Sequence, residues 1–237
     1  MKKIIAMLLM CSLMLVSLVA CTEPAEDPTK KSEGVMTYAE YMAAEMESTV
    51  VVETYVQAKQ THWDGKARFY TQDGHGAYFI YDMPCTETEY EKLVPGTKIK
   101  VTGRKTEWAG EVEIADATFE IMSGTYIAPV TDVTSLLANE TELIKHQNKY
   151  VSVKGLTVEG VEFQNGSAGN GNDIYVTVSL DGVSYSFCVE AYNTATLFGS
   201  ETYTTASELT AGDKIDIEGF LYWYDGANTH ITKITKK

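Results

Sequence analysis

The chain has 237 residues, 44% of them hydrophobic and 22% charged, with 18 Gly and 5 Pro. That balance suits one or two globular domains and excludes collagen-like or wholly disordered chains. Lys and Arg number 19 against 33 Asp and Glu, a net charge of −14, which excludes a general-purpose polyanion binder.

The chain opens with an address. Lys2 and Lys3 precede an apolar run from Ile4 to Ala20, and the run ends in Leu18-Val19-Ala20-Cys21. A charged start, a short apolar core and small residues at the exit predict a signal peptide over 1–20. The cysteine directly after the small pair resembles a bacterial lipobox. That resemblance implies that Cys21 is lipidated, becomes the new N-terminus and anchors the protein to the cell membrane, facing outside the cytoplasm. Residues 21–34 carry two prolines and no large apolar side chain, which predicts a flexible tether.

Tyr38 to Met46 reads as a short lead-in helix. Val50 to Lys59 is β-branched and aromatic, and Lys66 to Gln72 follows a His62-Trp63-Asp64-Gly65 turn. Asp73-Gly74-His75-Gly76 is a hairpin turn into a third strand, Ala77 to Tyr81, whose alternation does not reveal which side is buried. Thr86-Glu87-Thr88-Glu89 is a capping box opening a helix to about Leu93, ended by Pro95-Gly96. Lys98 to Thr106 and Glu111 to Ile121 then make a strand pair about Trp108-Ala109-Gly110. Thr134 to Lys145 predicts one short amphipathic helix.

The pattern then repeats. Gly96-Thr97-Lys98-Ile99-Lys100-Val101-Thr102-Gly103 aligns with Gly212-Asp213-Lys214-Ile215-Asp216-Ile217-Glu218-Gly219, and the same offset carries Trp108 onto Tyr224. Asp73-Gly74 aligns with Asp181-Gly182, and Val50 to Val52 with Val151 to Val153, in unchanged order. Two copies of one unit follow. Three strands, a short helix and two strands is the order of an OB-fold, a five-stranded Greek-key barrel. The fold class is therefore all-β with short helices, two tandem OB-like barrels over 35–125 and 126–237. In the second copy the loop Gly160 to Asp173 is long, and Ala191 to Thr210 replaces the helix with a less regular stretch.

Phe69-Tyr70-Thr71-Gln72-Asp73-Gly74, the aromatic third strand and Gly96-x-Lys98-Ile99-x-Val101-x-Gly103 resemble the OB-fold modules of secreted bacterial proteins. Some of those modules are attached to extracellular nucleases and others stand in lipoproteins. The resemblance implies an exported binding module with single-stranded nucleic acid as ligand. It does not imply nuclease activity, since the separate catalytic domain of such nucleases has no counterpart here.

The residues themselves point away from catalysis. The four histidines are scattered, and no HExxH, GxSxG, Walker loop or GxGxxG is present. No metal or cofactor is expected: Cys85 and Cys188, which lie in different halves, have no CxxC spacing, and they permit a disulfide without suggesting one. For binding, an OB-fold uses strands 2 and 3 with the 1–2 and 4–5 loops. Trp63 and Trp108 fall in those loops of the first copy and Trp223 in the second. On strand 2, Lys66, Arg68, Tyr70 and Gln72 should face outward if Ala67, Phe69 and Thr71 face the core. Lys98, Lys100 and Arg104 add charge on strand 4, while the second copy has no arginine. Candidate ligand residues are thus Trp63, Lys66, Arg68, Tyr70, Trp108 and Trp223. Besides single-stranded nucleic acid, the aromatic loops on an acidic surface suit an oligosaccharide or cell-wall glycan. A protein partner in the cell envelope is the remaining alternative.

Overall fold

A computed structural model describes residues 27–237; the predicted signal peptide, Cys21 and the start of the tether lie outside the described residues. Among the described residues no helix is long and apolar enough to cross a membrane.

Strands β1 (Thr49–Lys59), β2 (Lys66–Gln72), β3 (Ala77–Pro84), β4 (Thr97–Trp108) and β5 (Glu111–Thr125) form a closed barrel in the order β1-β2-β3-β5-β4. β4 closes antiparallel on β1, and β3 runs parallel to β5. Helix α1 (Tyr38–Ala43) leads in, and α2 (Glu87–Lys92), with the expected capping box on Thr86, joins β3 to β4. The second copy repeats this. β7 (Tyr150–Phe163), β8 (Ile174–Leu180), β9 (Val183–Val189), β10 (Lys214–Trp223) and β11 (Ala227–Lys236) run β7-β8-β9-β11-β10, with β10 closing on β7. β6 (Thr131–Asp132) adds a short parallel pair to β7. Both copies are OB-folds.

Alternation decides what each barrel holds. Val50, Val52, Phe69, Tyr78, Ile80, Ile99 and Ile114 fill the first core; Val151, Val153, Val176, Phe187, Ile215 and Ile217 belong to the second. Each such side chain contributes about 1.5–3 kcal/mol by leaving water. The repeat's shared glycine has a steric cause. A Cβ on Gly219 would lie 2.3 Å from the carbonyl oxygen of His230, and one on Gly103 2.8 Å from that of Ala115, where β4 and β10 press against their neighbours.

Several local expectations change. Thr134 to Lys145 is not one helix: a 3-10 turn (Thr134–Leu136), helix α3 (Glu140–Leu143) and a second 3-10 turn (Ile144–His146) follow one another. Asn139 interrupts, in a non-helical conformation, and its side chain caps α3. The irregular stretch of the second copy contains a true helix, α4 (Glu201–Ser207), which buries Tyr203 and Ala206. Of the predicted tether, residues 27–34 are seated on the first barrel. Lys31 Nζ donates to Asp73 Oδ2 at 2.5 Å and to the Glu53 carbonyl at 2.7 Å, in a pair whose side chains are 7% and 0% exposed. The Gly74 amide donates to the Pro28 carbonyl.

The barrels also pack together. Ala58, Tyr70 and Phe79 of the first form a buried cluster with Phe220 of the second, and the Tyr70 and Phe220 rings stack at 4.4 Å.

Candidate nucleic-acid or glycan interface

The predicted phase of β2 holds: Ala67 and Phe69 enter the barrel core, while Lys66, Arg68, Tyr70 and Gln72 lie on the other side. On β3, Tyr78 and Ile80 go inward and Phe79 outward. The outcome for the ligand face differs from the expectation, because β10 and β11 of the second barrel lie over its middle. Tyr70 is fully buried there. Gln72 Oε1 accepts the Tyr150 amide across the junction at 2.9 Å. Lys66 and Arg68, nearer the end of the strand, stay open to solvent in part.

The three tryptophans separate. Trp63 is 73% exposed and Trp108 64%, but Trp223 only 4%. Trp223 packs in the second core, and its indole lies 2.6 Å from where a Cβ on Gly110 would be. Its amide donates to the buried Glu111 Oε2 at 2.8 Å. The strand pattern of Tyr222-Trp223-Tyr224 permits only one of two faces inside, and Trp223 took it. Trp108 stands beside the turn where the Ala109 carbonyl accepts the Asp225 amide, away from Lys66 and Arg68. Tyr70 and Trp223 are therefore closed to a ligand in this structure. Trp63, Lys66 and Arg68 are brought together.

They meet in a recess of about 450 Å³, lined also by Gln60, Ala67, Asp82 and Tyr192. Trp63 is held on a tight hairpin, its amide donating to the Lys66 carbonyl and its carbonyl accepting the Lys66 amide, with Asp64 and Gly65 in the left-handed region. Tyr192 comes from the second barrel, 51% exposed, and its carbonyl accepts the Thr61 amide at 2.7 Å. The recess is thus built on the first barrel, with Tyr192 of the second closing one side. Asp82 has a left-handed backbone at a bulge between β2 and β3, which turns its carboxylate onto both cations. Lys66 donates to it at 2.7 Å and Arg68 at 2.8 Å. Burial pushes the Asp82 carboxyl up, but those two bonds outweigh it and hold it below its ordinary range. Arg68 also lies over the Tyr81 ring, 4.5 Å from its centre.

Gln60 and Arg68 continue into a second hollow of about 340 Å³ between the barrels, which adds Tyr81, Tyr175, Tyr224, Asp173, Glu190 and His230. Its floor is a buried polar knot. Tyr70 O–H donates to Glu190 Oε2 at 2.7 Å, and His230 Nδ1 lies 2.5 Å from that hydroxyl and 3.2 Å from Oε2. Gln60 Nε2 donates to Glu190 Oε1 at 2.5 Å. Burial works against the Glu190 charge, but His230 and these bonds prevail and its pKa is lowered. Asp173 is raised by burial, in spite of accepting the Ala191 amide. Behind the wall Glu113, 6% exposed, is raised by burial to about 7, with Arg68 opposing and Asp82 adding to the rise.

The other predicted basic groups lie elsewhere. Lys98 faces Glu53 at 3.6 Å, and Arg104 pairs with Glu47 and Asp116. Cys85 and Cys188 are buried free thiols. Tyr192, Glu190 and His230 were missed from sequence, because nothing in a linear pattern tells which faces of two barrels will meet; Tyr224 was read only as part of the Tyr222-Trp223-Tyr224 turn. The one available signal was the run of aromatics in the loops of the second copy.

No family model and no curated protein matches the chain. Solved structures do. A murine DNA-binding protein bound to double-stranded DNA is similar at 11% identity over 79% of this chain and 96% of its own, with a TM-score of 0.36. A p202 HIN1 domain in complex with 12-mer double-stranded DNA matches at 13% identity over 90% of this chain and 100% of its own, TM-score 0.32. The single-stranded DNA binding protein from Thermus aquaticus matches at 13% over 80% and 92%, TM-score 0.29. At these identities and TM-scores the likeness carries no argument about a ligand.

Proposed function

We propose that this is a non-catalytic binding protein, exported and anchored at the bacterial cell membrane through lipidated Cys21, which takes a neutral oligosaccharide into the cleft between its two barrels. One observation carries the choice of ligand. The cleft offers exposed aromatic side chains from both barrels, Trp63 and Tyr81 from one and Tyr192 and Tyr224 from the other, while its two cations already share the Asp82 carboxylate. Asp173 and Glu190 add negative charge. A phosphate chain would meet more acid than free base, whereas sugar rings can stack on the aromatics and use Gln60, Asp82 and Arg68 as hydrogen-bond partners.

The second reading, single-stranded nucleic acid, draws on the juxtaposition of Trp63 with Lys66 and Arg68, since a base could stack there beside two cations. One titration separates the two. The mature chain is tested against a glycan panel and against labelled single-stranded DNA and RNA at ~50 and ~200 mM salt. Glycan binding indifferent to salt and weakened at least about tenfold by Trp63→Ala supports the first reading. Oligonucleotide binding that collapses with salt replaces it with the second. Capture of neither, with an envelope protein bound instead, overturns both.

A further inference from the structure

We propose that the second hollow, at the inner end of the cleft, is a binding site for the primary ammonium group of a small organic cation. The inference stands apart from the sugar reading, which turns on Trp63 and the neighbouring recess.

Tyrosine side chains wall the hollow, Tyr81 from the first barrel and Tyr175, Tyr222 and Tyr224 from the second. At about 340 Å³ it is large enough for a small organic group. Among the described residues no three His, Cys, Asp or Glu side chains are grouped to hold a metal ion.

Two acceptors in the hollow are unspent. Asp173 Oδ1 takes the Ala191 amide at 2.8 Å, but Oδ2 has no hydrogen bond and the carboxylate no ion pair among the described residues. His230, 9% exposed, supplies the other. Its ring is stacked on Tyr222 at 4.3 Å, and its Nδ1 edge is turned to Tyr70 and Glu190 on the floor. Tyr70 O–H gives its own hydrogen to Glu190, so the hydrogen between that oxygen and Nδ1 belongs to Nδ1. In the neutral ring this leaves Nε2 as a lone pair, and no described residue donates to it. Asp173 lies close enough to Glu190 and His230 for each to act on its carboxyl.

The competing donors are engaged. Gln60 Nε2 is bound to Glu190 Oε1. Arg68, the one arginine or lysine lining the hollow, is held by Asp82. An ammonium group brings three N–H donors and a compact charge. Asp173 Oδ2 and His230 Nε2 can each accept from it, and Glu190 adds negative charge from the floor. Tyrosine rings attract a cation as well, an interaction already present where the Arg68 guanidinium lies over Tyr81. An alcohol meets the same acceptors without the charge, and a quaternary ammonium has the charge but no hydrogen to give.

The experiment is calorimetric titration of the mature chain with benzylamine, benzyl alcohol and benzyltrimethylammonium at ~150 mM salt, where distant surface charges are screened. Benzylamine is expected to bind at least about tenfold more tightly than either of the others. Asp173→Asn, which keeps an acceptor for the Ala191 amide, should abolish the preference over the alcohol. Tyr224→Ala, at a position 54% exposed, should weaken the amine a few-fold. Glu120→Gln, an exposed acid on β5 outside the hollow, and Trp63→Ala should leave amine binding unchanged. Equal affinity for the amine and either other probe, or a preference that survives Asp173→Asn, would overturn the proposal. So would a preference that falls with Glu120→Gln, which would mark attraction to the acidic surface at large. Glycan binding lost in Trp63→Ala without any amine preference would leave the sugar reading standing alone, and an amine preference without glycan binding would do the reverse.

Discussion

Trp63 presents a ring that is 73% exposed on a hairpin fixed by its own backbone bonds, so removing the ring should not disturb the fold. Trp63→Ala is expected to change unfolding free energy by no more than about 0.5 kcal/mol in urea denaturation. Trp223, 4% exposed in the second core, should cost about 3–5 kcal/mol as Trp223→Ala. Equal costs would show that the two were wrongly distinguished. Glu113 makes a pH prediction. With its folded pKa raised to about 7 from 4.5, the native state keeps a proton that the unfolded chain releases between those values. Stability should therefore fall as pH rises from 4.5 to 7 and level off above. Glu113→Gln should flatten that slope and stabilise the protein at pH 8 by roughly 1–3 kcal/mol, as read from melts at pH 5 and pH 8.

At the scale of elements, most strands were legible because alternation, turn residues and capping boxes agree locally. The Asp73-Gly74 turn and the Thr86 cap are cases where the local chemistry leaves one solution. The α4 helix was not legible: Ser200 caps it without a Glu or Gln three residues on, and its Thr-rich sequence has weak helix propensity. Its stability comes instead from burying Tyr203 and Ala206, a tertiary effect. The pairing of Asp82 with Lys66 and Arg68 was not legible for a related reason, since its aim depends on a bulge between strands. The seating of residues 27–34 was missed because composition reports that a segment has little to bury, not that one lysine finds a buried carboxylate. Lys31→Ala leaves Asp73 without its cation and should cost about 3–5 kcal/mol in thermal or urea unfolding. A chain begun at residue 35 should show the same loss. No loss in either would mean the segment is merely laid on the surface. Gly219→Ala, with its Cβ forced against the backbone of His230, should cost about 1–3 kcal/mol.

For the whole molecule, the junction between barrels shapes the candidate cleft, and it is the part the sequence could not display. Trp63, Lys66 and Arg68 were read as candidates from one barrel alone, and the hollows they line also draw Tyr192, Glu190 and His230 from the other. Tyr70→Ala removes the ring stacked on Phe220 and the hydroxyl that joins Glu190 to His230. It should split a single calorimetric unfolding transition into two, one per barrel, whereas a single unshifted transition would show that the junction adds nothing. The covering of the first barrel's strand face has a further consequence, one of inheritance. The two barrels repeat one unit, and here one copy's Tyr70 and Phe79 form an internal seam while Thr177 and Ser186 of the other stay at the surface. The copies are not interchangeable: a change on the first face must be answered by a matching change in Phe220 or Tyr222, while a change on the second meets no such partner. Divergence among relatives of this chain should accordingly be lopsided, with this face of the first barrel held still by its seam and the same face of the second freer to change.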